Sequence, residues 1–135
     1  MKWGRSSPTR ATTSPSPAKG AERVLVVDDE EMIRDLMVEI LALGGIEAQC
    51  LSTGSELLTR LGSGPAPDVL ILDLSLPDAM GENLLDQARR HWKQTCFILC
   101  TGHISDELDA HFAGRVHAIL RKPFSPDELL ALFDL

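Results

Sequence analysis

The chain is 135 residues long and 44% apolar, with mean hydropathy near zero, which suits the core of one domain and little more. No apolar run approaches the roughly 18 residues of a membrane span, so no membrane partner is expected. Lys2, Arg5, Arg10 and Lys19 give residues 1–20 a charge of +4, and the other 9 basic and 20 acidic residues leave −11 for the rest. An acidic body disfavours a nucleic-acid backbone and suits Mg2+ or a basic protein surface.

Residues 1–20 are rich in Ser, Thr, Pro, Arg and Ala and lack apolar periodicity, so they read as a disordered tail or linker. No apolar stretch follows Met1-Lys2-Trp3-Gly4-Arg5, and a secretory signal is not expected. The folded domain is expected over 21–135. Arg23–Val27 is a short strand. Glu30–Leu43 carries Ile33, Leu36, Met37, Ile40 and Leu41 at helical spacing, with Met32 and Met37 expected in or near the core, and Gly44-Gly45 stops it. Ile46–Leu51 is a strand. Thr53–Leu61 is a helix with Leu57, Leu58 and Leu61 on one face. After a loop over Gly62–Pro67, Val69–Leu72 is a wholly apolar strand ending at Asp73. Gly81–Trp92 is a helix, Thr95–Cys100 a strand ending at Thr101, Ser105–Phe112 a short helix and Val116–Leu120 the fifth strand. Ser125–Leu132 is the last helix, with Ser125 as N-cap and Pro126 in its first turn.

Strand and helix thus alternate five times. Continuous apolar strands between amphipathic helices predict an α/β fold whose parallel sheet is covered on both faces. Right-handed crossovers put all strand C-terminal ends on one edge, where such sheets bind ligands. Cys50, Cys96 and Cys100 lie in apolar segments, are odd in number and form no CxxC. They read as small buried hydrophobes in a reducing compartment, which suggests the cytoplasm.

The strand ends carry the chemistry. The first ends in Asp28-Asp29, followed by Glu30-Glu31. The third ends in Asp73, the fourth in Thr101-Gly102 and the fifth in Arg121-Lys122-Pro123-Phe124. Taken singly, Asp28 and Asp29 read equally well as helix caps, Asp73 as a turn residue and Lys122 as a surface lysine. Their coincidence at one sheet edge favours a site. Three ionised carboxylates repel one another, and a divalent cation relieves this. Oxygen-only ligands point to a hard ion such as Mg2+. Asp73 can then attack a phosphoryl group to give an acyl phosphate. Lys122 would balance charge on the phosphoryl oxygens, with Thr101 and the Gly102 amide as hydrogen-bond donors.

The stretches VLVVDDE, DVLILDLSLPDAMGENLL, ILCTGH and ILRKPF, in this order over roughly residues 22–135, resemble the receiver domain of two-component response regulators. The resemblance implies a flavodoxin-like fold: a doubly wound five-stranded parallel sheet of strand order 2-1-3-4-5, with five helices in three α/β/α layers. It implies Asp73 as phosphoacceptor, with Thr101 as the switch hydroxyl. Lys122 would pair with Asp73 before modification and with phosphate after it. Mg2+ would be held by Asp29, by Asp28 directly or through water, by Asp73 and by the backbone carbonyl of Ser75. Pro77 and Gly81 match the positions that shape the loop after the acceptor strand, and Lys122-Pro123 would be cis. The implied partner is a sensor histidine kinase or phosphotransfer protein, with a second copy of the chain as a partner on phosphorylation.

The chain departs from the commonest pattern at Ile119, where the family often has Tyr or Phe, which puts the usual aromatic switch in doubt. His103 and Ser75 lie where access to the phosphoryl group varies in the family. His91, His111 and His117 show no metal-site spacing, and Trp92 reads as packing. The sequence shows no DNA-binding, kinase or output domain, so a stand-alone regulator or a receiver from a longer protein is expected. A haloacid-dehalogenase-type phosphohydrolase would need an Asp where Ser75 stands. A degenerate receiver that only scaffolds is the other alternative.

Overall fold

The computed structural model describes residues 16–102 and 105–135. Its strands are β1 (Arg23–Val27), β2 (Glu47–Leu51), β3 (Val69–Asp73), β4 (Cys96–Thr101) and β5 (Ala118–Arg121), four of them at apolar runs and β2 at the more polar edge segment EAQCL. They form one sheet in the order β2-β1-β3-β4-β5, and every pairing is parallel. This is the expected flavodoxin-like topology. β3 is central and buried along its whole length, as a strand covered on both faces must be.

The crossovers are α1 (Glu31–Leu43), α2 (Gly54–Leu61), α3 (Gly81–His91) and α4 (Asp106–Phe112), with α5 (Pro126–Ala131) closing the fold. Successive strand residues point to opposite faces. Leu25, Val27, Leu70, Leu72 and Leu99 share a core with Leu57 of α2 and Leu84 and Leu85 of α3. Val24, Val26, Val69, Ile71 and Ile98 share the other with Met37 and Leu41 of α1 and Leu129 of α5. Capping boxes start two helices, Thr53 with Glu56 at α2 and Ser125 with Glu128 at α5. Beyond α1, Gly45 takes a φ of 79°, a conformation that favours glycine.

The structure departs from expectation in several places. Met37 is buried, but Met32 is 84% exposed, because five residues at about 100° each turn it well away from Met37. Leu58 is exposed, one step around α2 from buried Leu57, and Leu36 is exposed on α1. β5 starts at Ala118, while Val116 makes an isolated bridge with Ala113. Cys100 is buried, whereas Cys50 and Cys96 are only half-buried, and all three are free thiols. Trp92 is buried, as expected.

Of the expected tail, residues 1–15 lie outside the described residues, but Ser16–Gly20 pack on the domain. The Ala18 amide donates to the Leu132 carbonyl at 2.8 Å, and the Ser16 hydroxyl to the Ala131 carbonyl at 3.0 Å. Lys19 pairs with Asp134 at 3.4 Å. A helix C-terminus leaves carbonyls without intrahelical donors, and this segment supplies two. Among the described residues, no helix is long and apolar enough to cross a membrane.

Candidate functional site

The C-terminal edge of the sheet brings the strand-end residues together. Val27 is the register partner of Leu72, so Asp28 follows β1 beside Asp73 at the end of β3. Asp73 is in turn the register partner of Cys100, which puts Thr101 at the adjoining strand end. Asp28, Asp73 and Thr101 are buried, while Asp29 is exposed. One carboxylate oxygen from each of Asp28, Asp29 and Asp73 lies within 4.8 Å of the others.

Lys122 enters from the end of β5. Its Nζ lies 2.9 Å from Asp28 Oδ2, 3.1 Å from Glu30 Oε1 and 3.5 Å from Asp73 Oδ2. The lysine therefore sits closest to Asp28, with Asp73 third, rather than on Asp73 alone. Burial alone would lower the Lys122 pKa, but the close Asp28 and Glu30 carboxylates and the charge of Asp73 raise it above the usual lysine value. The Lys122-Pro123 bond is cis, as the resemblance implies.

Asp73 accepts a hydrogen bond at Oδ1 from the Ser75 amide at 2.9 Å. Burial raises its carboxyl above the usual range. The Ser75 amide opposes the rise, Asp28 adds to it, Lys122 opposes it and Asp29 adds to it. Asp28 holds the turn after β1 by accepting from the Glu30 amide at 2.9 Å, and Arg34 of α1 donates to the Asp28 carbonyl at 2.7 Å.

The donor set fits a hard divalent cation. Its close atoms are all carboxylate oxygens, and Asp28 Oδ2 is buried without a well-aligned hydrogen-bond donor among the described residues, with the Lys122 ammonium 2.9 Å away. This acidic pocket can hold a metal ion.

Gly81 starts α3 where a Cβ would come within 2.8 Å of the Leu74 Cα. Ile119, at the expected aromatic position, is half-buried against the core shared with α2 and α3. His103 lies outside the described residues. The reading by strand ends missed three contributors: Glu30 on Lys122, Arg34 on Asp28, and Asp78, which takes the first amides of α2 at 2.8 and 3.0 Å. The acidic run after Asp29 was the local sign of the first; Arg34 lies only six positions from Asp28 but on the following helix, and Asp78 reaches back 24 positions to Gly54.

A sequence profile of the response regulator receiver domain matches residues 24–134. Regulatory protein AtoC of Escherichia coli is 34% identical over 109 residues, covering 79% of this chain and 23% of AtoC. Transcriptional regulatory protein GltR of Pseudomonas aeruginosa is 36% identical over 111 residues, covering 80% of this chain and 46% of GltR. The chain thus spans less than half of either relative. Among solved structures, chemotaxis response regulator CheY4 of Vibrio cholerae superposes with a TM-score of 0.73 at 28% identity, covering 82% of this chain and 93% of that one.

Proposed function

Because this chain belongs to the response regulator receiver domain family of two-component signalling, we propose that it accepts a phosphoryl group on Asp73 from a sensor histidine kinase or phosphotransfer protein, with Mg2+ beside it. The modification then switches a protein-interaction surface. Receiver domains are signalling modules rather than turnover enzymes. The observation that carries the reading is a buried Asp73 at the end of the central strand, sharing one edge with Asp28, Asp29, Thr101 and Lys122.

In the transfer, an Asp73 oxygen forms a bond to phosphorus as the P–N bond of the donor's phosphohistidine breaks. The electron pair of that bond stays on the imidazole nitrogen, which takes a proton from water. Asp28, Asp29, Asp73 and the Ser75 carbonyl are the proposed metal ligands. Bound Mg2+ would offset the charge of the phosphoryl oxygens. Lys122, already among the acids, supplies a second positive charge, and the Thr101 hydroxyl a hydrogen bond. The free thiols support a reducing, cytoplasmic setting. Family membership and Ser75 in place of a second Asp argue against the phosphohydrolase alternative.

The test is intact mass after incubation with Mg2+ and acetyl phosphate. The wild type is expected to gain one phosphoryl group and Asp73→Asn none. No gain in the wild type, with Mg2+ binding also absent, would leave a scaffold as the better reading.

A further inference from the structure

We propose that Asp78 is a positioning residue: by taking the first two helical amides of α2, it fixes the path of loop 74–80 and so the Mg2+-binding geometry at Asp73 and Ser75. This rests on the receiver reading above.

A helix start leaves its first N–H groups without intrahelical partners. In α2 they are all accounted for. The Thr53 amide donates to Glu56 Oε1 at 3.2 Å, and the Glu56 amide to Thr53 Oγ1 at 3.0 Å, both within the helix's own turn. The other two leave the local segment: Gly54 N–H donates to Asp78 Oδ1 at 2.8 Å and Ser55 N–H to Asp78 Oδ2 at 3.0 Å. Both carboxylate oxygens are engaged, so position and orientation are set together. A carboxylate is also favoured at the positive end of the helix. The two amides hold the Asp78 carboxyl below the usual range, so the anchor stays charged.

Asp78 lies three residues after Ser75, on the loop that leaves Asp73. That loop is gripped at two places where no Cβ can stand. A Cβ on Gly81 would lie 2.8 Å from the Leu74 Cα and 2.9 Å from its carbonyl oxygen. A Cβ on Gly54 would lie 2.6 Å from the Ala79 Cβ. Between these points Leu76 is buried and the Ser75 amide reaches Asp73. Asp78 itself is exposed, so its loss opens no core cavity.

The test is Mg2+ titration of the full chain by calorimetry, with thermal melting alongside, on the wild type, Asp78→Ala, Gly54→Ala and Thr53→Ala. Residues supporting metal ligands typically change affinity by 10–100-fold, so Asp78→Ala is expected to raise the Mg2+ Kd about tenfold. Gly54→Ala, which displaces the loop from the helix side, is expected to do the same. Thr53→Ala removes a cap from the same helix and is expected to lower the melting temperature with the Kd unchanged. A wild-type Kd in Asp78→Ala would make Asp78 a helix cap only and overturn the proposal. Should Asp78→Ala fail to fold, a wild-type Kd in Gly54→Ala overturns it equally. A wild type that binds Mg2+ yet gains no phosphoryl group sinks the phosphoacceptor reading and leaves this comparison intact. A wild type that binds no Mg2+ overturns both.

Discussion

Changing Asp73 to asparagine takes one negative charge out of a crowded, buried edge while keeping the side chain's size. At an effective dielectric near 20, the Lys122 ammonium at 3.5 Å attracts the Asp73 carboxylate by about 5 kcal/mol. Asp28, with an oxygen no farther than 4.8 Å, repels it by at least about 3.5 kcal/mol on the same basis. Exposed Asp29, screened by water, adds about 1 kcal/mol of repulsion. The charges nearly cancel, so burial decides. Desolvating an ion costs several kcal/mol, and the Ser75 hydrogen bond returns about 1.5–3 kcal/mol. Asparagine keeps an acceptor for that amide and sheds the ion. Asp73→Asn is therefore expected to stabilise the metal-free domain by about 1–3 kcal/mol at pH 7, or about 4 °C in Tm per kcal/mol for a chain of this size.

The pH dependence follows from the raised Asp73 pKa. The folded state holds this proton more tightly than the unfolded state. The wild type therefore loses stability as pH rises from the ordinary carboxylate range through the raised folded value. The advantage of Asp73→Asn should be full above that value and vanish below the ordinary range. Urea denaturation with chelator, from pH 7 down to the most acid pH at which both proteins fold, measures it. A less stable variant at pH 7, or an advantage that does not shrink on acidification, refutes the reasoning.

The Phe97 amide donates to His117 Nδ1 at 2.9 Å, so His117→Ala leaves a strand amide unpaired and should cost about 1–3 kcal/mol in urea denaturation. The same bond requires the proton of neutral His117 on Nε2, which nitrogen chemical shifts would report. Gly81→Ala drives a Cβ into the Leu74 backbone and should cost about 1–3 kcal/mol, with slower acetyl-phosphate labelling of Asp73 by intact mass. Burial pushes the thiol pKa up to about 11 at Cys96 and up to about 12 at Cys100. In native protein at pH 8, iodoacetamide should modify Cys50 first and Cys100 last; labelling of Cys100 at the rate of unfolded protein would contradict its burial.

Local pattern was enough for much of this molecule. Four apolar runs, the mixed segment Ile46–Leu51 and the helical spacing between them named every element, because a buried strand and an amphipathic helix each write a period into the chain. The right-handed crossover then puts Asp28, Asp73, Thr101 and Lys122 at one edge. What periodicity left undecided was how far a helix's apolar stripe extends. Met32 and Met37 carry the same side chain, and only the sheet beneath α1 buries one and not the other. Nor did it decide which charge meets which. Lys122 sits 92 positions from Glu30 and nearest to Asp28, Asp78 reaches back 24 positions to Gly54, and Ser16–Gly20 fasten to the end of α5. Such pairings depend on distances set when separate elements pack, and a hydrogen bond or ion pair is sensitive to a fraction of an ångström. Local period sets the elements and the edge where the acids gather, and the packing of the sheet sets which groups touch there.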